Sequence, residues 1–76
     1  MQHTPVISGK EAVKAFIKAG WVFQRRSKKN HFILGKPGVF VKLSVPDHPK
    51  LDRGLLDGLI EDAGINLNEF RQLLDV

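Results

Sequence analysis

The hydrophobic period of this chain changes twice, and that change limits its fold more than any other feature. Ala12, Val13, Phe16 and Ile17 recur at helical spacing. Val41, Leu43 and Val45 then alternate with Phe40, Lys42 and Ser44, the pattern of a strand with one face buried. Leu55, Leu56, Leu59, Ile60 and Ala63 return to helical spacing. End signals bound these stretches. Ser8-Gly9-Lys10-Glu11 reads as a capping box, in which the serine side chain and the glutamate satisfy each other's backbone donors. The helix it opens runs to about Ala19, with Gly20 as a left-handed stop. Asp52 caps a second helix over roughly Arg53 to Ala63, and Gly64 ends it. Asn66 with Glu69 makes another box, opening a short helix that packs Leu67, Phe70, Leu73 and Leu74.

Three β-prone runs lie between the first two helices: Trp21 to about Arg26, His31 to Leu34, and Phe40 to Val45. Ser27–Asn30 is polar and short enough for a hairpin, and Gly35-Lys36-Pro37-Gly38 is a turn signal. Pro46-Asp47-His48-Pro49 breaks the last strand. Residues 1–7 read as a loosely held lead-in. With 76 residues the chain makes one domain with one thin core. The expected class is α+β in the order α-β-β-β-α, a three-stranded antiparallel sheet with two helices on one face and a short C-terminal helix. That is the topology of double-stranded-RNA-binding domains, which read A-form shape and phosphates rather than base sequence. Topology alone assigns no function.

Composition removes several classes of chemistry. Without cysteine there is no disulfide framework, thiolate zinc site or cysteine nucleophile. No apolar run is long enough to cross a bilayer, and no signal-like segment opens the chain, so a cytoplasmic protein without membrane contact is expected. Residues 1–50 carry ten Lys and Arg against Glu11 and Asp47, whereas residues 51–76 carry two against six acids. One end should therefore attract polyanions. Lys10, Lys14 and Lys18 recur every four residues as a cationic stripe on the first helix. Asp57, Glu61 and Asp62 read as a solvated face. No paired carboxylates, phosphate loop or histidine pair at metal-ligand spacing occurs, so neither a metal nor a small-molecule cofactor is expected.

Side chains that titrate near neutrality are limited to His3, His31 and His48. His3 lies in the lead-in and carries no expected role. His31 follows the cationic run Arg25-Arg26-Ser27-Lys28-Lys29-Asn30 and opens the second strand. Such a loop brings phosphate to the imidazole. A strand start is a rigid platform, and a histidine there can take a proton from a ribose 2′-hydroxyl or give one to a leaving 5′-oxygen. The residues also allow a polar histidine at a strand edge with no chemistry. Trp21 and Phe23 are expected to pack rather than stack on bases.

A resemblance decides between these readings. Ser8-Gly9-Lys10-Glu11, Ala19-Gly20-Trp21, Asn30-His31, and Val45-Pro46-Asp47-His48 followed by Leu51-Asp52-Arg53-Gly54-Leu55-Leu56 resemble, in that order and spacing, the HicA toxin family. Ala63-Gly64-Ile65 and Glu69-Phe70-Arg71-Gln72-Leu73-Leu74 fit as well. The resemblance spans Ser8 to Leu74. It implies the toxin half of a HicA–HicB toxin–antitoxin pair, with a double-stranded-RNA-binding-domain-like fold, metal-independent cleavage of mRNA, and a HicB-like antitoxin that covers the active face. It also implies one catalytic histidine at the start of the second strand, the position of His31, and a loop histidine at His48 as a candidate supporting residue. Lys10, Lys14, Lys18, Arg25, Arg26, Lys28, Lys29 and Asn30 are then the expected RNA contacts. Family members commonly carry Gly-Ser where this chain has Lys28-Lys29. Lysine does not favour positive φ, so this turn must be made differently, with Asn30 as the candidate for the left-handed region. Two alternatives remain at this point: a non-catalytic RNA-binding module or inactive toxin, and an interaction domain whose basic face docks an acidic partner.

Overall fold

A computed structural model of the chain describes residues 4–74. Helix α1 (Gly9–Lys18) is followed by strands β1 (Val22–Arg26), β2 (His31–Lys36) and β3 (Val39–Pro46), then helices α2 (Arg53–Asp62) and α3 (Leu67–Leu74). The strands form an antiparallel sheet in the order β1-β2-β3. The architecture is α+β in the order α-β-β-β-α, with a short closing helix, consistent with the double-stranded-RNA-binding-domain-like fold. His3 lies outside the described residues.

The helix ends form as their sequences require. Ser8 Oγ accepts from Glu11 N at 3.1 Å, and Glu11 Oε1 accepts from Ser8 N at 3.0 Å. The second box is equally complete, with Asn66 Oδ1 accepting from Glu69 N at 2.8 Å and Glu69 Oε1 accepting from Asn66 N at 3.3 Å. Asp52 Oδ2 accepts from Leu55 N at 3.2 Å. The hydrogen bond from the Ser8 backbone, then that from its side chain, hold the Glu11 carboxyl below the usual glutamate range, with burial opposing them and the charge of Lys14 adding a lesser pull in their direction. A depressed folded value stabilises the fold above the unfolded value, and that stability is lost as pH falls through the folded one. The urea midpoint of wild type relative to Glu11→Gln should therefore be constant near neutrality and shrink on acidification below the usual glutamate range. A pH-independent difference would contradict this.

The core lies between the helices and one face of the sheet. Phe16, Phe70, Leu34, Leu43, Leu56 and Val45 are fully buried. Phe16 of α1 and Phe70 of α3 meet as a tilted ring pair with centroids 5.1 Å apart. Trp21 is buried as expected, while Phe23 is half exposed and packs edge-on against Phe32 at 6.2 Å.

The structure corrects several expectations. Ile17 and Leu55, assigned to core stripes, are 46% and 38% exposed. Each lies at the margin of an apolar face wider than the core it covers. The lead-in is not loose from Thr4 onward: Ile7 is buried, Leu51 N donates to Ile7 O at 2.8 Å, and Thr4 Oγ1 donates to Asp57. Strand β2 runs two residues past Leu34, so Gly35 belongs to the strand and the turn shrinks to Pro37-Gly38. Pro37 supplies the fixed φ and Gly38, at φ 78°, the left-handed one, the combination of a type II turn. Val41 is 48% exposed rather than buried, because the register slips. Leu34 pairs with Leu43 but Lys36 pairs with Val39, leaving Phe40–Lys42 opposite Gly35 alone. Phe40 projects fully into solvent on this edge strand.

Candidate active site

His31 is the first residue of β2, where the sequence places it. Its backbone is fixed by the loop before it. Ser27 N donates to His31 O at 2.8 Å, and Ser27 Oγ accepts from His31 N at 3.2 Å and from Lys29 N at 3.3 Å. Asn30 N donates to Ser27 O at 3.1 Å. Asn30 adopts φ 61°, so the chain reverses through Lys28-Lys29 and then one left-handed residue. This is the hairpin of a three-residue loop, and asparagine is among the few non-glycine residues that tolerate its last position. The turn that Lys28-Lys29 cannot make with positive φ is made by Asn30.

Register decides which way the imidazole points. Leu34 and its partner Leu43 face the helices, as do Phe32 and its partner Val45. Residues alternate along a strand, so His31 and Ile33 face the other way, onto the open side of the sheet. Ser44, paired with Ile33, and Arg25, also paired with Ile33, share that side. His31 Nδ1 lies 2.8 Å from Ser44 Oγ. Lys42 Nζ donates to Gln24 Oε1 at 2.7 Å across the same face, and Gln24 sits at the β1 bulge with its side chain packed over Gly35. His31 is half-buried, while Arg25, Lys42 and Ser44 are exposed. The open face thus carries a histidine with one ring nitrogen engaged, and shares that face with the cationic side chains of Arg25 and, farther along the sheet, Lys42.

Beside it, two loops are tied together. Asp47 N donates to Asn30 O at 3.0 Å, and Arg26 pairs with Asp47. The Arg26 guanidinium also lies 4.8 Å from the Phe32 ring centroid, on the helix side of the sheet. The pair is partly solvated, so it contributes at most about 1 kcal/mol. Its main effect is on charge, since it neutralises the acid nearest the basic loop. His48 is exposed, and its carbonyl accepts from Gly9 N at 2.9 Å, which brings the start of α1 to the same end of the molecule.

The expected RNA contacts therefore divide. Arg25, Lys28, Lys29 and Asn30 gather with His31 at one end of the sheet, and His48 lies on the adjoining loop. Arg26 is there too but is engaged by Asp47. Lys14 and Lys18 are not brought to His31. They line a groove between α1 and α3 with Leu73 and Leu74, and Lys18 Nζ donates to Leu73 O at 3.2 Å. Lys10, inside the capping box at the start of α1, is exposed. Sequence reading missed Ser44, Lys42 and Gln24. Ser44 had a signal: it alternates with Leu43 and Val45, so it faces outward, on the side opposite the core. Among the described residues, no three His, Asp or Glu side chains gather to hold a metal, and no helix is long and apolar enough to cross a membrane.

A family model for the HicA toxin of bacterial toxin–antitoxin systems matches residues 9–65. That span begins at the first residue of α1 and ends just beyond α2, so it contains the whole sheet, both loops and every residue of the open face. Comparison with curated proteins and with solved structures finds no match.

Proposed function

We propose, from the premise that the chain belongs to the HicA family of toxins of bacterial toxin–antitoxin systems, that it is an endoribonuclease that cleaves mRNA with His31 as general acid and base. The observation that carries this reading is the place of His31: a half-buried imidazole on an open face, one nitrogen held by Ser44, beside the cationic 25–30 loop. Arg25, Lys28 and Lys29 attract the phosphate backbone, and Asn30 shapes the loop that presents it. Lys10, Lys14 and Lys18 extend the basic surface away from the reacting phosphate. His48 supports the site from the adjoining loop. The imidazole takes the proton of a ribose 2′-hydroxyl as its oxygen attacks phosphorus. It then returns a proton to the 5′-oxygen as the P–O5′ bond breaks. This chemistry uses no metal or organic cofactor. In this reading the partner is a HicB-like antitoxin covering the basic face, in the cytoplasm.

Incubating the purified chain with RNA in EDTA tests the proposal against the binding-only alternative. Cleavage is expected to persist with the metal chelated. A band shift with intact RNA would favour a non-catalytic module.

A further inference from the structure

We infer that Ser44 is a positioning residue for His31: its hydroxyl accepts the Nδ1 proton, fixing the ring so that Nε2 is the nitrogen that exchanges protons with RNA. The inference rests on the acid–base reading of His31 but adds a residue and a tautomer to it. The contact is 2.8 Å, between neighbouring strands whose backbone pairing holds both residues. His31 is opposite Pro46, and Ser44 is the diagonal neighbour on the same face, a separation that side chains can span.

The direction of the hydrogen bond follows from the chemistry. If Ser44 donated to Nδ1, the one proton of the neutral ring would sit on Nε2. Both nitrogens would then be engaged or protonated, and the ring could not act as a base. If Nδ1–H donates to Ser44 Oγ, Nε2 is bare in the neutral ring and protonated in the cation. The same hydrogen bond then survives both halves of the cycle, and the ring need not turn between taking a proton and returning it. A serine has no charge, so it sets the tautomer without the strong bias toward imidazolium that a carboxylate partner would impose. Ser44 is exposed, and its side chain packs in no core contact, so its loss leaves the sheet intact.

The test compares Ser44→Ala, Ser44→Thr and His31→Ala in the full-length chain. Two readouts are used: ¹⁵N chemical shifts of the His31 ring, and steady-state cleavage of a labelled in vitro transcribed mRNA. Wild type should show the Nδ1–H tautomer. Ser44→Ala should shift the His31 ring toward a tautomer mixture and lower kcat about tenfold, the worth of one neutral hydrogen bond, with KM little changed. Ser44→Thr, which keeps the hydroxyl, should restore both. An unchanged tautomer and full kcat in Ser44→Ala, while His31→Ala is inactive, would overturn the role of Ser44 alone. Full activity in His31→Ala would instead overturn the catalytic reading, whatever the ring tautomer.

Discussion

His31→Ala should abolish RNA cleavage and the growth arrest that follows expression, with a loss of at least about 10²-fold, while leaving the fold intact. General acid–base catalysis by one positioned side chain is worth about 10²–10⁴-fold, and among the described residues no second histidine shares the open face. The structural cost is small for a specific reason. The loop holds His31 through its backbone N and O, which alanine keeps. What alanine removes is one side-chain hydrogen bond to an exposed serine, about 1 kcal/mol. Circular dichroism and thermal melting should therefore superimpose on wild type within a few degrees while cleavage disappears. RNA affinity should persist, because the phosphate contacts proposed for Arg25, Lys28 and Lys29 are untouched. Retained cleavage would remove His31 from the chemistry and put the proton transfers on another group, and a collapsed melting curve would mean that the loop depends on the imidazole.

Much of the geometry of this candidate site is legible in the sequence. His31 was picked out by standing at the junction of a cationic loop and a strand. Asn30 was picked out because two lysines could not supply a left-handed residue, and φ 61° is that residue. Element order followed from capping residues, which act over three or four positions and are local chemistry. What was not legible depended on register. The slip between Leu34–Leu43 and Lys36–Val39 exposes Val41, and nothing in the alternation of Val41, Leu43 and Val45 announces it. A slip of two residues, however, keeps every later side chain on its own face. Ser44 therefore meets His31 diagonally, where a regular hairpin closed at Pro37-Gly38 would have set them opposite. Where the lysine stripe lies relative to His31 was not legible for a similar reason. Helical spacing shows that Lys10, Lys14 and Lys18 share a side of α1, but not which side of the sheet α1 covers.

Gly9→Ala should be the most destabilising single methyl that this chain can receive at the site, costing about 3 kcal/mol, the upper end of the range for overpacking. The first residue of α1 is pressed against the end of β3. A Cβ at position 9 would overlap the Pro46 carbonyl oxygen and stand 3.3 Å from Asp47 Cα. Both obstacles are backbone, so no rotamer change relieves them, and retreat of the helix would break the bond from Gly9 N to His48 O. A domain of this length has about 4–11 kcal/mol in total. The expected fall in melting temperature is about 10–20 °C. Gly58→Ala is the internal control. Gly58 lies inside α2 with nothing within 4 Å of its would-be Cβ, so alanine should gain helix propensity there and raise stability by up to about 1 kcal/mol. The same substitution thus has opposite signs at two glycines. Gly9→Ala should also lower cleavage in the protein that remains folded, because Pro46 is the cross-strand partner of His31 and Asp47 ties the 27–30 loop through Asn30 O. A melting temperature within two or three degrees of wild type would show that α1 does not clamp this end of the sheet. The placement of His48 beside the site would then lose its main support.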